Sequence, residues 1–184
     1  MKKHQRKKRV KPGVLYHASQ NRQIEIFEPK AQSVRDPQEG PVVFATPHKE
    51  VAICFMTPYE FQHGSFNRGE SWFMVIPNRE GYLAKDKGGA IYSLPPDTFK
   101  TDPQKGLKEN EWTSKTSVKP LGKEKYGSTL QAMLDYGIQV YFVDEQTYKE
   151  IESSDDHGFK VISSLKSENQ KRKFNVKPLD APSS

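Results

Sequence analysis

This sequence predicts an α+β fold, on three observations. Short apolar runs of strand length outnumber stretches with helical periodicity. Strand-like and helix-like segments do not alternate in the β–α–β manner of a parallel sheet. Thirteen prolines and twelve glycines in 184 residues favour short elements joined by many turns.

Length and charge set the frame. The length suits one compact domain with a real core. The net charge of +6 is unevenly placed. Residues 1–12 hold seven bases and no acid, residues 165–184 are also basic, and the segment between is mildly acidic. The expectation is therefore a disordered basic tail at 1–12, a single domain at 13–164 and a disordered polar, basic tail at 165–184. Basic tails attract RNA or another polyanion without sequence choice. The one cysteine, Cys54, permits no internal disulfide. No apolar run approaches a membrane span, and the charged N-terminus has no apolar stretch behind it. A cytoplasmic protein with no membrane partner is the expectation.

The elements follow in order. Residues 14–17 read as a buried strand after Pro12-Gly13. Residues 23–29 alternate, with Ile24 and Ile26 on one face, and Pro29 ends them. A polar loop leads to a second apolar strand at 42–46. Thr46-Pro47 reads as a helix start, with Thr at the N-cap and Pro at N1; the helix would carry Val51, Ala52, Ile53, Phe55 and Met56. Residues 58–70 read as a long loop. Trp72-Phe73-Met74-Val75-Ile76 has no alternation, which fits a strand buried on both faces. Residues 81–84 and 90–94 read as strands joined by a turn. A polar loop at 95–110 leads into an extended segment at 111–121. Residues 123–136 read as a helix capped by Gly137, and 138–143 as a strand. Asp144 caps a short helix through 152, and 159–165 reads as a last strand.

Three segments carry chemistry. His17 ends an apolar strand and is followed by small residues, Ala18 and Ser19, so a ring nitrogen could face a cleft whose backbone a ligand can approach. Phe44-Ala45-Thr46 leads from a strand toward a helix N-terminus, which favours anions. Glu109 and Glu111 stand two apart, so in a strand both carboxylates face one side. A carboxylate there could hold a ribose hydroxyl and stabilise oxocarbenium charge. Taken singly, these also read as a core histidine, a capped helix and two solvated acids. His48, Cys54, His63 and His157 lack metal-ligand spacing, so no metal is expected. Cys54 sits in an apolar pattern as a small hydrophobe.

Taken together, His17-Ala18-Ser19, Phe44-Ala45-Thr46 and Glu109-Asn110-Glu111 resemble the three active-site strands of the ADP-ribosyltransferase superfamily. That superfamily places His or Arg on its first core strand, an aromatic or hydroxyl residue on the second and usually Glu on a later one. The resemblance covers about residues 13–121. Ala18 replaces the glycine common after the histidine, and Phe44 stands where the histidine-type branch usually has tyrosine. Thr46 is similar to the hydroxyl of the arginine-type branch, and Glu109 with Glu111 to the Glu-x-Glu pair of enzymes that modify arginine.

The resemblance implies a split, strongly bent β-sheet core with a few short flanking helices, and NAD as substrate in its cleft. His17, Ala18, Ser19, Phe44 and Thr46 would bind NAD. Glu111 would stabilise the transition state as nicotinamide leaves, with His17 positioning the ribose and Glu109 serving the acceptor, whether protein, nucleic acid or small molecule. Two other readings accompany it: a catalytically inactive nucleic-acid-binding module on the same fold, and an RNA 2′-phosphotransferase-like activity.

Overall fold

The computed structural model describes residues 11–31, 38–58, 65–68, 71–156 and 158–174. Both helices and strands are present, with the strands in three small sheets, so the fold is α+β. The chain divides into two compact units. Of the described residues, one contains those up to His17, with those of Ile24–His48 and Tyr92–Lys123; the other contains Ala18–Gln23, those of Lys49–Ile91 and those from Glu124 on. A further sheet of order β1-β5-β8 is formed by β1 (Leu15–Ser19), β5 (Gly89–Leu94) and β8 (Gly122–Tyr126).

The first unit is built around β2 (Val43–Ala45), β6 (Lys100–Thr101) and β7 (Trp112–Ser114), in the order β2-β7-β6 with antiparallel pairing throughout. Val43, Ala45, Trp112 and Ser114 are buried, which is the alternation a half-covered sheet requires. Residues 23–29 do not form the expected strand. Only Phe27 pairs, in an isolated bridge to Val118. Phe27 is buried while Ile26 stays exposed, so the inward residue lies one position from the expected face.

The second unit centres on β3 (Ser65–Arg68), β4 (Ser71–Pro77) and β9 (Gln139–Val143). Strand β4 pairs antiparallel with β3 and parallel with β9. Phe73, Met74, Val75 and Ile76 are all buried, as the unbroken apolar run predicts. Phe73, Val75 and Tyr141 pack with Ile151 and Ile162, which belong to α4 (Glu145–Ser153) and α5 (Phe159–Ser163). Asp144 caps α4 by accepting the Thr147 N–H at 2.7 Å.

Several expectations are corrected. Residues 81–84 lie in a helix, α2 (Arg79–Lys85), because Asn78 Oδ1 accepts the Gly81 N–H and turns the chain helical. Residues 123–136 split into the end of β8 and a helix, α3 (Thr129–Asp135), because Ser128 caps α3 and starts it late. Residues 159–165 form α5 instead of a strand, and β3 lies within the expected loop at 58–70. The expected C-terminal tail begins with a helix, α6 (Glu168–Phe174). Its Asn169 Oδ1 accepts the Val140 N–H, and Glu168 is buried with Lys171 Nζ at 2.8 Å. Among the described residues no helix is long and apolar enough to cross a membrane.

Asp86 ties the second unit together. Its carboxylate accepts N–H bonds from Gly88, Thr129 and Leu130 and the Ser128 hydroxyl, filling the orphan donors at the start of α3. Burial alone would raise its pKa, but these bonds outweigh it and hold the carboxyl below the usual carboxylate value. Gly88 sits at φ +64 with no room for a Cβ, which would meet the Tyr126 carbonyl oxygen. Asp86→Ala is expected to cost about 2–3 kcal/mol in urea denaturation at neutral pH, as a four-donor acceptor is lost. A lowered folded-state pKa gives stability present above the unfolded-state value and lost as pH falls through the folded one. The difference between wild type and variant should therefore shrink as pH falls below 4, about the unperturbed aspartate value.

Candidate functional site

Tyr16 and Thr46 exchange both backbone bonds, at 2.7 and 2.9 Å, in an isolated antiparallel bridge. This sets the first strand beside β2. Strand β2 in turn pairs with β7, with Phe44 opposite Thr113 and Ala45 opposite Trp112. Glu111 is extended, one residue ahead of β7, and continuing that register sets it level with Thr46. Three segments far apart in sequence thus lie side by side.

The placement of each candidate residue follows from strand alternation. Phe44, Thr46, Thr113 and Glu111 fall on one face, and Tyr16, paired with Thr46, belongs with them. His17 is out of phase with Tyr16. The ladder ends after one pair, and the His17 ring occupies the strand edge with Nδ1 2.7 Å from the Phe44 carbonyl oxygen. Ala18 is buried, and the Ser19 hydroxyl accepts the Asn21 N–H at 3.2 Å; both belong to the second unit. Glu111 is half-buried and Glu109 exposed.

The expected helix start at Thr46-Pro47 is corrected. The helix α1 is Lys49–Cys54. Thr46 serves as a strand residue, its hydroxyl accepting the His48 N–H at 3.2 Å, and Phe55 lies outside the helix and is exposed. Thr46 therefore contributes a buried hydroxyl-bearing strand position, not an anion-binding helix terminus. Cys54 is buried, with its thiol pushed up to about 12 by desolvation, which makes it unreactive.

The carbonyl of Phe44 can only accept, so the proton of neutral His17 sits on Nδ1 and Nε2 is left as an acceptor. Nε2 has no hydrogen-bond partner among the described residues. Burial pulls the His17 pKa below its ordinary 6.5. The Phe44 bond works the other way, and the charge of Lys30 adds to the lowering. The imidazole is thus neutral at pH 7.

The surroundings of that ring were not expected from sequence. Phe27 lies 4.6 Å from it centroid to centroid, and Tyr92 meets Phe27 edge-on at 5.1 Å. The Tyr92 hydroxyl accepts the Ile24 N–H at 3.1 Å, and Lys123 Nζ lies 5.7 Å from the Tyr92 ring centroid. Apolar residues at 27 and 92 were legible as strand residues, but nothing in their spacing tied them to His17.

The segment before Glu111 is braced. Lys108 adopts the left-handed conformation, φ 56, at the start of a single 3-10 turn, Lys108–Asn110. Its carbonyl accepts from the Thr101 hydroxyl at 2.9 Å and from the Glu111 N–H at 3.2 Å. Trp112 Nε1 donates to the Glu109 carbonyl at 3.0 Å. The backbone at Lys108 and Glu109, leading into Glu111, is therefore held by side chains of the sheet.

Comparisons with protein-family models, with curated proteins and with solved structures gave no match.

A titration of His17 followed by nitrogen NMR should show the Nδ1–H tautomer and a pKa below 6.5. Phe27→Ala, which admits water to the ring, should move that pKa upward. A folded-state pKa below the unfolded one gives stability that is whole above 6.5 and declines as pH falls toward the folded value. A wild-type pKa at or above 6.5 would contradict the assignment.

Proposed function

We propose that the first unit is an NAD-dependent ADP-ribosyltransferase-like catalyst that cleaves the nicotinamide–ribose bond and passes ADP-ribose to a nucleophilic acceptor. The observation that supports this reading is the juxtaposition itself. A neutral histidine with an open acceptor nitrogen, an aromatic–hydroxyl strand and a glutamate at the entry of a third strand are adjacent, in the roles the resemblance assigns them.

The residues fit the substrate's chemistry. An acceptor nitrogen suits a sugar hydroxyl, which must donate, so His17 Nε2 would hold the ribose. Phe44 offers an apolar ring and no phenol. Glu111 would stabilise the positive charge that develops on the ribose as the glycosidic bond breaks and nicotinamide leaves with the bonding electrons. The acceptor then bonds to the same carbon, and Glu109, exposed and two residues away, would take its proton. The braced turn before Glu111 supplies the fixed placement that such stabilisation needs.

Nicotinamide release from NAD, measured for wild type and Glu111→Gln side by side, tests the reading. The variant is expected to lose roughly two or more orders of magnitude in turnover with little change in NAD binding, since charge stabilisation is lost and shape is kept. Release by wild type should also fall as pH drops through the His17 pKa, because a protonated Nε2 no longer accepts. No release and no NAD binding by wild type would sink the proposal; equal turnover in the variant would remove Glu111 from it.

A further inference from the structure

The same site carries a cation that the function above does not use. Lys30 and Val42 exchange both backbone bonds at 3.1 Å, in an isolated antiparallel bridge just ahead of β2. Two residues along, the Phe44 carbonyl holds the His17 ring. Lys30 and His17 are thus both fastened to the segment Val42–Phe44, at points about 7 Å apart by strand geometry. Lys30 is exposed and forms no ion pair with any described residue.

We propose that Lys30 is the anion contact of the His17 site, which makes its ligand a phosphorylated ribose with a hydroxyl on His17 Nε2 and a phosphate at Lys30. This rests on the reading that Nε2 takes a ribose hydroxyl. The division follows from donor and acceptor character. A phosphate offers only acceptor oxygens at neutral pH, so it cannot bond a neutral nitrogen that is itself an acceptor. It needs a cation or an N–H, and Lys30, which forms no ion pair with any described residue, is bridged to Val42, two positions from Phe44. The electrostatics agree: the Lys30 charge reaches the imidazole and helps keep it neutral, so the cation that would bind the phosphate also preserves the acceptor that would bind the hydroxyl.

The test is binding to the full chain of two probes, ADP-ribose and nicotinamide riboside, by calorimetry, with His17 ring nitrogen shifts followed in parallel. Wild type, Lys30→Met and Lys30→Arg are compared. Lys30→Met should weaken ADP-ribose roughly tenfold or more, as expected for a lost charge-assisted contact, and leave nicotinamide riboside unchanged. Lys30→Arg should restore most of the loss, and added salt should shrink the wild-type preference. Equal affinity of ADP-ribose for wild type and Lys30→Met, or equal weakening of both probes, would overturn the proposal. Two outcomes separate it from the function it rests on. Binding of both probes with perturbed His17 shifts but no effect of Lys30→Met keeps the ribose reading and removes Lys30. Binding of ADP-ribose that depends on Lys30 but leaves the His17 shifts unmoved keeps an anion contact and removes the ribose reading. Failure of wild type to bind either probe would remove both.

Discussion

Everything in the candidate site depends on a ladder that stops. Tyr16 and Thr46 form one complete antiparallel pair, and the bridge stays isolated. A continuous ladder would put backbone donors along the edge of β2. Here an imidazole reaches the Phe44 carbonyl instead, and a buried carbonyl with a donor is far cheaper than one without. The consequence is chemical as well as structural. Because a carbonyl cannot donate, this bond decides the histidine tautomer, and the tautomer decides what the other nitrogen can bind. A strand-pairing defect is thereby converted into a defined acceptor.

The residues around this point divide into two kinds of support. Phe27 packs against the ring and Tyr92 backs Phe27, and the Phe27–Val118 bridge fixes that wall at its backbone. Thr101, Trp112 and the left-handed Lys108 hold the turn that delivers Glu111 to the entry of β7. A non-glycine residue at φ 56 costs of order 1 kcal/mol, and the side-chain bonds to the Lys108 and Glu109 carbonyls are what over-determine that conformation. The two supports meet at β2, which carries the carbonyl on which His17 rests and pairs with the strand that follows Glu111.

How much of this could be read from the chain varies with the range of the forces involved. Local signals served well: the unbroken apolar run at 73–76 is the strand buried on both faces, Asp144 caps α4, and His17, Phe44 and Glu111 stand on or at the ends of extended segments. Errors arose where a local pattern had two solutions. Lys123-Glu124-Lys125 fits either a helix face or an exposed strand, and only the Gly127-Ser128 break marks where α3 starts. At 81–84, short apolar residues suit a strand until Asn78 is recognised as a cap. Thr46-Pro47 looks like a cap and N1 pair, yet Thr46 is claimed by Tyr16 from thirty positions upstream. The companions of His17 were beyond local reasoning altogether. Phe27 and Lys30 come from one segment and Tyr92 from another, and only the bridges to Val118 and Val42 bring the first two into place.

Donor and acceptor chemistry, more than net charge, decides what such a site can take. The high overall basicity belongs to the termini, while the body of the chain holds slightly more acids than bases; a uniformly positive cleft is not what this sequence builds. A neutral imidazole fixed as an acceptor turns away bare anions and takes hydroxyls. The ammonium of Lys30, whose backbone pairs with Val42 two positions from Phe44, would do the opposite. Had His17 been charged, both groups would attract phosphate and the site could not orient a sugar. Burial prevents this by keeping the proton off Nε2. On the proposed reading the arrangement would distinguish the two ends of a phosphorylated sugar with two side chains, because one hydrogen bond to a strand carbonyl has already chosen which nitrogen carries the proton.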